Sequence, residues 1–236
     1  MTRPDAVAVV VPARDEEVLL PACLDAVAVA VDALRREHPD VRTRVVVVLD
    51  ACRDASAQVV ADRADVRADV RALTTDAACV GVARGAGVDA AASWAAGVGA
   101  RRLWLASTDA DSVVPPDWLT SHLRWATAGM GLVVGTVEPR PGDLDPVARA
   151  AWHRRHTLAD GHDHVHGANL GLTLAAYRSA GGFPPVPTHE DVRLVAAVRA
   201  AGVPHLATGA VPVVTSGRRI GRAPDGFADY LDGLGA

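Results

Sequence analysis

The chain has 236 residues, half of them hydrophobic, and a net charge of −4. That length and apolar content suit one large α/β domain with a sizeable core, and the acidic balance excludes a basic nucleic-acid-binding surface. All 24 positive side chains are arginine, which removes Schiff-base and P-loop lysine chemistry.

Val7 to Val11 is a continuous apolar run and reads as a strand covered on both faces. Pro12-Ala13-Arg14-Asp15 breaks it. Leu20, Leu24, Val27, Val31 and Leu34 then recur at helical spacing, and Asp15, Glu16 and Glu17 suit the positive N-terminal end of that helix. Val45 to Leu49 is a second buried strand, ending at Asp50. A helix over Ala55 to Ala64, a weak strand over Val70 to Leu73 and a small-residue helix from Val82 to Val98 follow. Leu103 to Ala106 is the next strand and runs directly into Ser107-Thr108-Asp109-Ala110-Asp111. This alternation predicts a mostly parallel sheet with helices on both faces. Right-handed crossovers place the loops after Val11, Leu49 and Ala106 on one edge, the carboxyl edge where open α/β sheets bind ligands.

After Gly129 the rhythm changes. Leu132 to Val137 reads as a strand. Pro139, Pro141, Gly142 and Pro146 mark an irregular turn. Helices are expected over Ala148 to Leu158 and Thr188 to Ala201, the second stopped by Gly202. His162 to His166 reads as an exposed polar loop, Val211 to Val214 as a late strand, and Gly226 to Leu231 as a short terminal helix with Phe227, Tyr230 and Leu231 facing inward. There is no uncharged apolar run long enough to span a bilayer, and the apolar N-terminal run is cut short by charge, so neither an integral membrane segment nor a signal peptide is expected. Cys23, Cys52 and Cys79 form no CxxC pair, which argues for a reducing, cytoplasmic setting, with a place beside the membrane left open.

Asp109 and Asp111 lie two residues apart directly after a buried strand. In a turn both carboxylates can face one point, and two close carboxylates repel unless a cation sits between them. Mg²⁺ and Mn²⁺ favour such oxygens and complete their shell with substrate phosphates. The plain alternative is a helix N-terminus before Pro115-Pro116-Asp117-Trp118 with solvated aspartates.

Six segments in order resemble the family 2 glycosyltransferases, which have the GT-A fold. Val9-Val10-Val11-Pro12-Ala13-Arg14-Asp15-Glu16-Glu17 is similar to the family's opening strand and Pro-x-x-Asn-Glu turn, with Asp15 in place of Asn. Asp50-Ala51-Cys52-Arg53-Asp54-Ala55-Ser56 follows an Asp-x-Ser-x-Asp-x-Thr pattern, with Cys52 in place of Ser. Ala83-Arg84-Gly85-Ala86-Gly87 resembles the segment carrying a base-contacting basic residue, and Asp109-Ala110-Asp111 matches the metal motif. Gly167-Ala168-Asn169-Leu170 with Gly181-Gly182-Phe183 resembles the acceptor-side segment, and His189-Glu190-Asp191 the late Glu-Asp motif.

The resemblance implies a Rossmann-like GT-A sheet flanked by helices, with a smaller acceptor-side subregion. Residues 1–112 would bind a nucleotide-diphosphate sugar and 113–236 a hydroxyl acceptor. Asp50 would read the base, with Pro12, Arg14 and Glu16 lining its pocket and Arg84 also in contact. Asp109 would meet the ribose or the cation, and Asp111 would coordinate Mn²⁺ or Mg²⁺. Asp191 would be the general base of an inverting displacement. Glu190 is its adjacent rival, and the sequence does not choose between them.

Other features stay open. His162, His164 and His166 alternate, a pattern that invites zinc, but no second ligand cluster supports it. An acceptor-loop role and a solvated loop are the other readings, and His189 fits either substrate orientation or a local turn. Thr215-Ser216-Gly217-Arg218-Arg219-Ile220-Gly221-Arg222 can close over a diphosphate through Arg218 and Arg222, or be a solvated loop. Thr215 or Ser216 can approach the cation. Most of the five tryptophans are expected in the core rather than stacked on a sugar. A nucleotidyltransferase is the rival enzyme, disfavoured because no glycine-rich loop follows the first strand. A non-catalytic sugar-nucleotide-binding module is the rival without chemistry.

Overall fold

A computed structural model describes residues 3–218, apart from 68 and 157. The expected terminal helix, Arg219 and Arg222 lie outside the described residues. The strands are β1 (Ala6–Ala13), β2 (Arg42–Asp50), β3 (Val70–Thr75), β4 (Leu103–Ser107), β5 (Leu132–Pro139), β6 (Leu170–Thr173) and β7 (His205–Thr215). The helices are α1 (Leu20–Glu37), α2 (Ser56–Val66), α3 (Val80–Gly97), α4 (Trp118–Thr127), α5 (Pro146–Arg155), α6 (Leu174–Ser179) and α7 (Glu190–Ala200).

All seven strands form one sheet in the order β3-β2-β1-β4-β6-β5-β7. β1 pairs in parallel with β2 and β4, and β5 with β7, whereas β6 runs antiparallel between β4 and β5. Ala13, Asp50, Ser107, Pro139 and Thr215 therefore end their strands on one edge, where β6 begins. That is the edge expected from the sequence, with β6 adding the Gly167–Asn169 3₁₀ turn to it.

Alternation along β1 builds the two layers. Val7, Val9 and Val11 join Leu20, Leu24 and Val27 of α1 on one face, while Ala8 and Val10 join Ala83, Val88 and Ala91 of α3 on the other. The small residues of α3 let its backbone press on the sheet. A Cβ on Gly87 would come within 2.4 Å of Val10 Cγ1.

Several expectations need correction. Asp15, Glu16 and Glu17 do not cap α1, which starts at Leu20 with no acidic residue in its first turn. They clamp the loop after β2 instead. Ser56 Oγ accepts from the Glu16 amide at 2.8 Å, and Asp15 Oδ1 and Glu17 Oε2 accept from the Arg53 and Ala55 amides at 2.6 and 2.8 Å. Local charge statistics could not show that these two loops meet. The predicted elements otherwise occur with ends shifted by a few residues, most at β7, which starts at His205. The short strand β6 and helices α4 and α6 went unread. β6 offers four residues, too few for a periodicity.

Asn169 joins α4, β5 and β7. Its Nδ2 donates to the Thr136 and Val211 carbonyls at 2.8 Å each, and its Oδ1 accepts from Trp118 Nε1 at 2.9 Å. Trp104, Trp118 and Trp152 are fully buried core residues. Among the described residues, no helix is long and apolar enough to cross a membrane.

His122 is enclosed by Trp104, Trp118 and Trp125 at ring distances of 5.2–5.9 Å. Trp104 Nε1 donates to its Nδ1 at 3.2 Å, so Nδ1 carries no proton. Burial pushes its pKa down to about 3. The unfolded chain takes up a proton near pH 6.5 that the folded chain refuses, so this stability is present at neutral pH and is lost as pH falls below 6.5. Urea unfolding at pH 7 and pH 5 should show a drop that is ~2 kcal/mol smaller in His122→Gln than in the wild type, a comparison in which the other titrating groups cancel.

Candidate active site

A cavity of about 610 Å³ opens at the carboxyl edge of the sheet. Its walls bring together Pro12, Arg14, Glu16, Asp50, Arg84, Asp109, Asp111, Glu190, Asp191 and Arg218. Loops after β1, β2 and β4 supply one side, and the 3₁₀ turn, the start of α7 and the end of β7 supply the other.

Asp50 ends β2 and is buried, with 3% of its surface exposed. The loop leading into α3 wraps its carboxylate. Oδ1 accepts from Thr75 Oγ1 at 3.1 Å and the Ala78 amide at 2.9 Å, and Oδ2 accepts from the Cys79 amide at 2.8 Å. Exposed Arg14 lies beside this loop, with Nη1 3.4 Å from the Ala78 carbonyl.

Arg84 projects from α3 and is 2% exposed. It donates to Glu190 Oε1 at 2.9 Å, Asp109 Oδ1 at 2.5 Å and the Gly167 carbonyl at 3.2 Å, and also to Ser107 Oγ. Burial disfavours its charge, but Asp109, Glu190 and Asp191 outweigh burial and raise its pKa above the ordinary arginine value. Four of its N–H donors are spent inside the chain, so Arg84 positions the carboxylates around it. A helical arginine among small residues gave no local sign of that. Gly167 is required beside it, because a Cβ there would lie 2.4 Å from Arg84 Nη2.

The neighbours Glu190 and Asp191 are separated by what they touch. His189, at φ 60°, turns the chain into α7 so that both acids fall in its first turn. Glu190 is bound to Arg84. Asp191 Oδ2 accepts from the Gly167 amide at 2.6 Å and Oδ1 from the Val192 amide at 2.8 Å, and no arginine is bonded to it among the described residues. Burial raises both pKa values and Arg84 opposes the shift, with the two backbone amides also opposing it at Asp191.

Asp111 is pushed up to about pKa 6 by burial and the charge of Asp109, while Arg218 opposes the shift. Thr215 Oγ1 lies 3.4 Å from Asp111 Oδ1 and accepts from Ser112 Oγ at 2.8 Å. The Arg218 guanidinium donates to both oxygens of Glu16, at 2.9 and 2.6 Å, and stands 3.0 Å from Asp111 Oδ2. A cation thus already stands against Asp111. Five carboxylates (Glu16, Asp109, Asp111, Glu190 and Asp191) face the two guanidiniums of Arg84 and Arg218 on these walls. This donor set of hard oxygens with excess negative charge fits Mg²⁺ or Mn²⁺.

The histidine loop is not the exposed segment expected. His162 is buried, and the rings form a column: Trp152 stacks on His156 at 3.4 Å, His156 on His164 at 4.5 Å, and His164 lies 6.0 and 6.2 Å from His162 and His166. Burial lowers the pKa of His156 to about 4 and of His166 to about 3, so these two rings are neutral at pH 7. Imidazole lone pairs lie in the ring plane, so stacked faces do not converge them on a metal. Among the described residues the one group of three ligand atoms within 4.8 Å is Asp15, Cys52 and Asp54. Those side chains are already bonded within the paired loops described above.

The cleft at the carboxyl edge of the sheet holds the Asp-x-Asp turn and the adjacent acids Glu190 and Asp191, at the edge where open α/β sheets bind ligands. The Glycosyl transferase family 2 profile matches residues 8–179, and the chain belongs to that family. No curated protein sequence matches the chain. Its fold is GT-A. A mannosyltransferase from Pyrobaculum calidifontis, solved with GDP-Man and Mn²⁺, aligns at TM-score 0.63 and 22% identity over 94% of this chain and 59% of its own. Residues 1–349 of S. aureus TarS align at 0.63 and 13% identity, covering 97% of this chain and 69% of that one. Glucosyl-3-phosphoglycerate synthase from Mycobacterium tuberculosis, solved with Mn²⁺, UDP and phosphoglyceric acid, aligns at 0.53 and 15% identity, covering 98% and 74%.

Replacing Arg84 tests its positioning role. Arg84→Met leaves buried Glu190 and part-exposed Asp109 without their cation, and urea unfolding at pH 7 should show a loss of about 3 kcal/mol, carried mainly by Glu190. A carboxyl held above its unfolded pKa costs stability at high pH and regains it on protonation, so the loss should shrink at pH 5. A loss under ~1 kcal/mol at pH 7 would contradict the assignment.

Proposed function

We propose that the protein is a metal-dependent, inverting glycosyltransferase that moves a sugar from a nucleotide-diphosphate donor to a hydroxyl acceptor. One observation carries this reading: the Asp109/Asp111 pair and the half-buried Asp191 line the same cavity, and one arginine, Arg84, bonds both Asp109 and Glu190, the neighbour of Asp191. The Mn²⁺ complexes of the mannosyltransferase and the synthase, one with GDP-Man and one with UDP, support a divalent cation and a sugar nucleotide.

In this reading residues 1–112 hold the donor and 113–236 the acceptor. Asp111, with the free oxygen of Asp109, would hold the cation, whose chemistry is to neutralise charge on the departing diphosphate. Arg218 would move from Glu16 and Asp111 onto the diphosphate. Asp191 Oδ takes the proton of the acceptor hydroxyl as its oxygen bonds to the anomeric carbon. The bond from that carbon to the diphosphate oxygen breaks, and its electron pair leaves with the nucleoside diphosphate. One displacement inverts the anomeric centre. Asp191 suits this role because burial raises its basicity and the Gly167 amide fixes its direction. Glu190 does not, since its charge is engaged by Arg84. The histidine column would form part of the acceptor wall, through His156, His164 and His166.

The test is a panel of UDP-, GDP- and TDP-sugars offered with Mn²⁺ or with EDTA, measuring released nucleoside diphosphate. Release is expected only with metal, and Asp191→Asn should lower acceptor-dependent kcat by ~10²–10⁴-fold with nucleotide affinity unchanged. Turnover by Asp191→Asn at the wild-type rate would remove Asp191 as base. Pyrophosphate release from a nucleoside triphosphate plus sugar phosphate would indicate a nucleotidyltransferase.

A further inference from the structure

We infer that Asp50 selects the donor's base by the lone pairs it has left, and that the donor carries uracil or thymine rather than guanine. The inference rests on the donor reading above and goes beyond it, because it names the nucleotide class.

A carboxylate offers about four lone-pair positions, two on each oxygen. At Asp50 the chain itself takes three. Thr75 Oγ1 and the Ala78 amide fill Oδ1, and the Cys79 amide takes one position on Oδ2. One position remains, on Oδ2. These partners are fixed by the fold. Thr75 is the register partner of Asp50 in the β2–β3 pair, and Ala78 and Cys79 form the tight entry to α3, with Ala78 at φ 48°. The carboxylate is also buried, so any base meeting it gives up water and must replace each lost hydrogen bond.

Guanine presents two adjacent donors, N1–H and N2–H, which pair with a carboxylate as a two-oxygen fork. That fork needs a vacancy on each oxygen, and Oδ1 has none. Uracil and thymine present one N3–H between two carbonyl oxygens. Their donor fits the single vacancy, and their flanking oxygens call for a donor nearby. Arg14 supplies one: its guanidinium is exposed, lines the same cavity and, among the described residues, makes only a long 3.4 Å contact with the Ala78 carbonyl. Cytosine and adenine place a bare ring nitrogen where N3–H would sit, which sets lone pair against lone pair.

The experiment is isothermal titration of the full chain, in Mn²⁺, with UDP, TDP, GDP, CDP and ADP. UDP and TDP should bind at least ~10-fold more tightly than the other three, the loss expected for one or two unmade buried hydrogen bonds. Thr75→Val, which vacates one position on Oδ1, should narrow the gap between UDP and GDP several-fold, with circular dichroism confirming that the variant is folded. GDP binding as tightly as UDP to the wild type would overturn the inference and leave the donor site standing. An unchanged UDP-to-GDP ratio in a folded Thr75→Val would overturn lone-pair counting as its cause. If none of the five binds, the donor-site reading falls and the inference falls with it.

Discussion

The site depends on one buried cation. Arg84 leaves a helix of small residues, reaches past the end of β4 and finds partners on three separate segments: Asp109 and Ser107 at the strand end, Gly167 in the 3₁₀ turn, and Glu190 at the start of α7. A guanidinium can do this because its donors point in fixed, divergent directions within one plane, which a compact ammonium cannot match. The interaction joins the end of β4 to the 3₁₀ turn and to the start of α7, and it engages Glu190 while leaving its neighbour Asp191 to backbone amides.

A second guanidinium answers the first across the aspartate turn. Arg218 holds Glu16 with two bonds and touches Asp111, so the last described residue of the chain is tied to the loop after the first strand. Asp109 and Asp111 therefore lie between two arginines with different burdens. Arg84 is enclosed and spent. Arg218 is partly exposed, and its bonds run inward to buried Glu16 and to Asp111.

The histidine-lined wall follows another logic. His156 and His166 are held neutral at pH 7 by burial, and His156 stacks on His164. Trp152 anchors the column from the core, as support for a histidine.

Much of the N-terminal half was legible from the sequence. Val7–Val11, Val45–Leu49 and Leu103–Ala106 are short buried runs, and the polar residues that follow each run fall on one edge because parallel strands with right-handed crossovers leave no other place for them. The chain order of Asp50, Asp109-Ala110-Asp111 and Glu190-Asp191 carried the family resemblance. The sequence could not assign partners. That Arg84 is a buried hub, that Glu190 is neutralised while Asp191 is not, that Asp15–Glu17 brace a loop, and that the histidines stack all depend on segments far apart in the chain meeting in space. The register of β6 and the packing of α3 and α7 bring those segments within hydrogen-bond reach. A single sequence records which groups are present, and tertiary geometry decides which of them a cation, a base or a proton finds unoccupied.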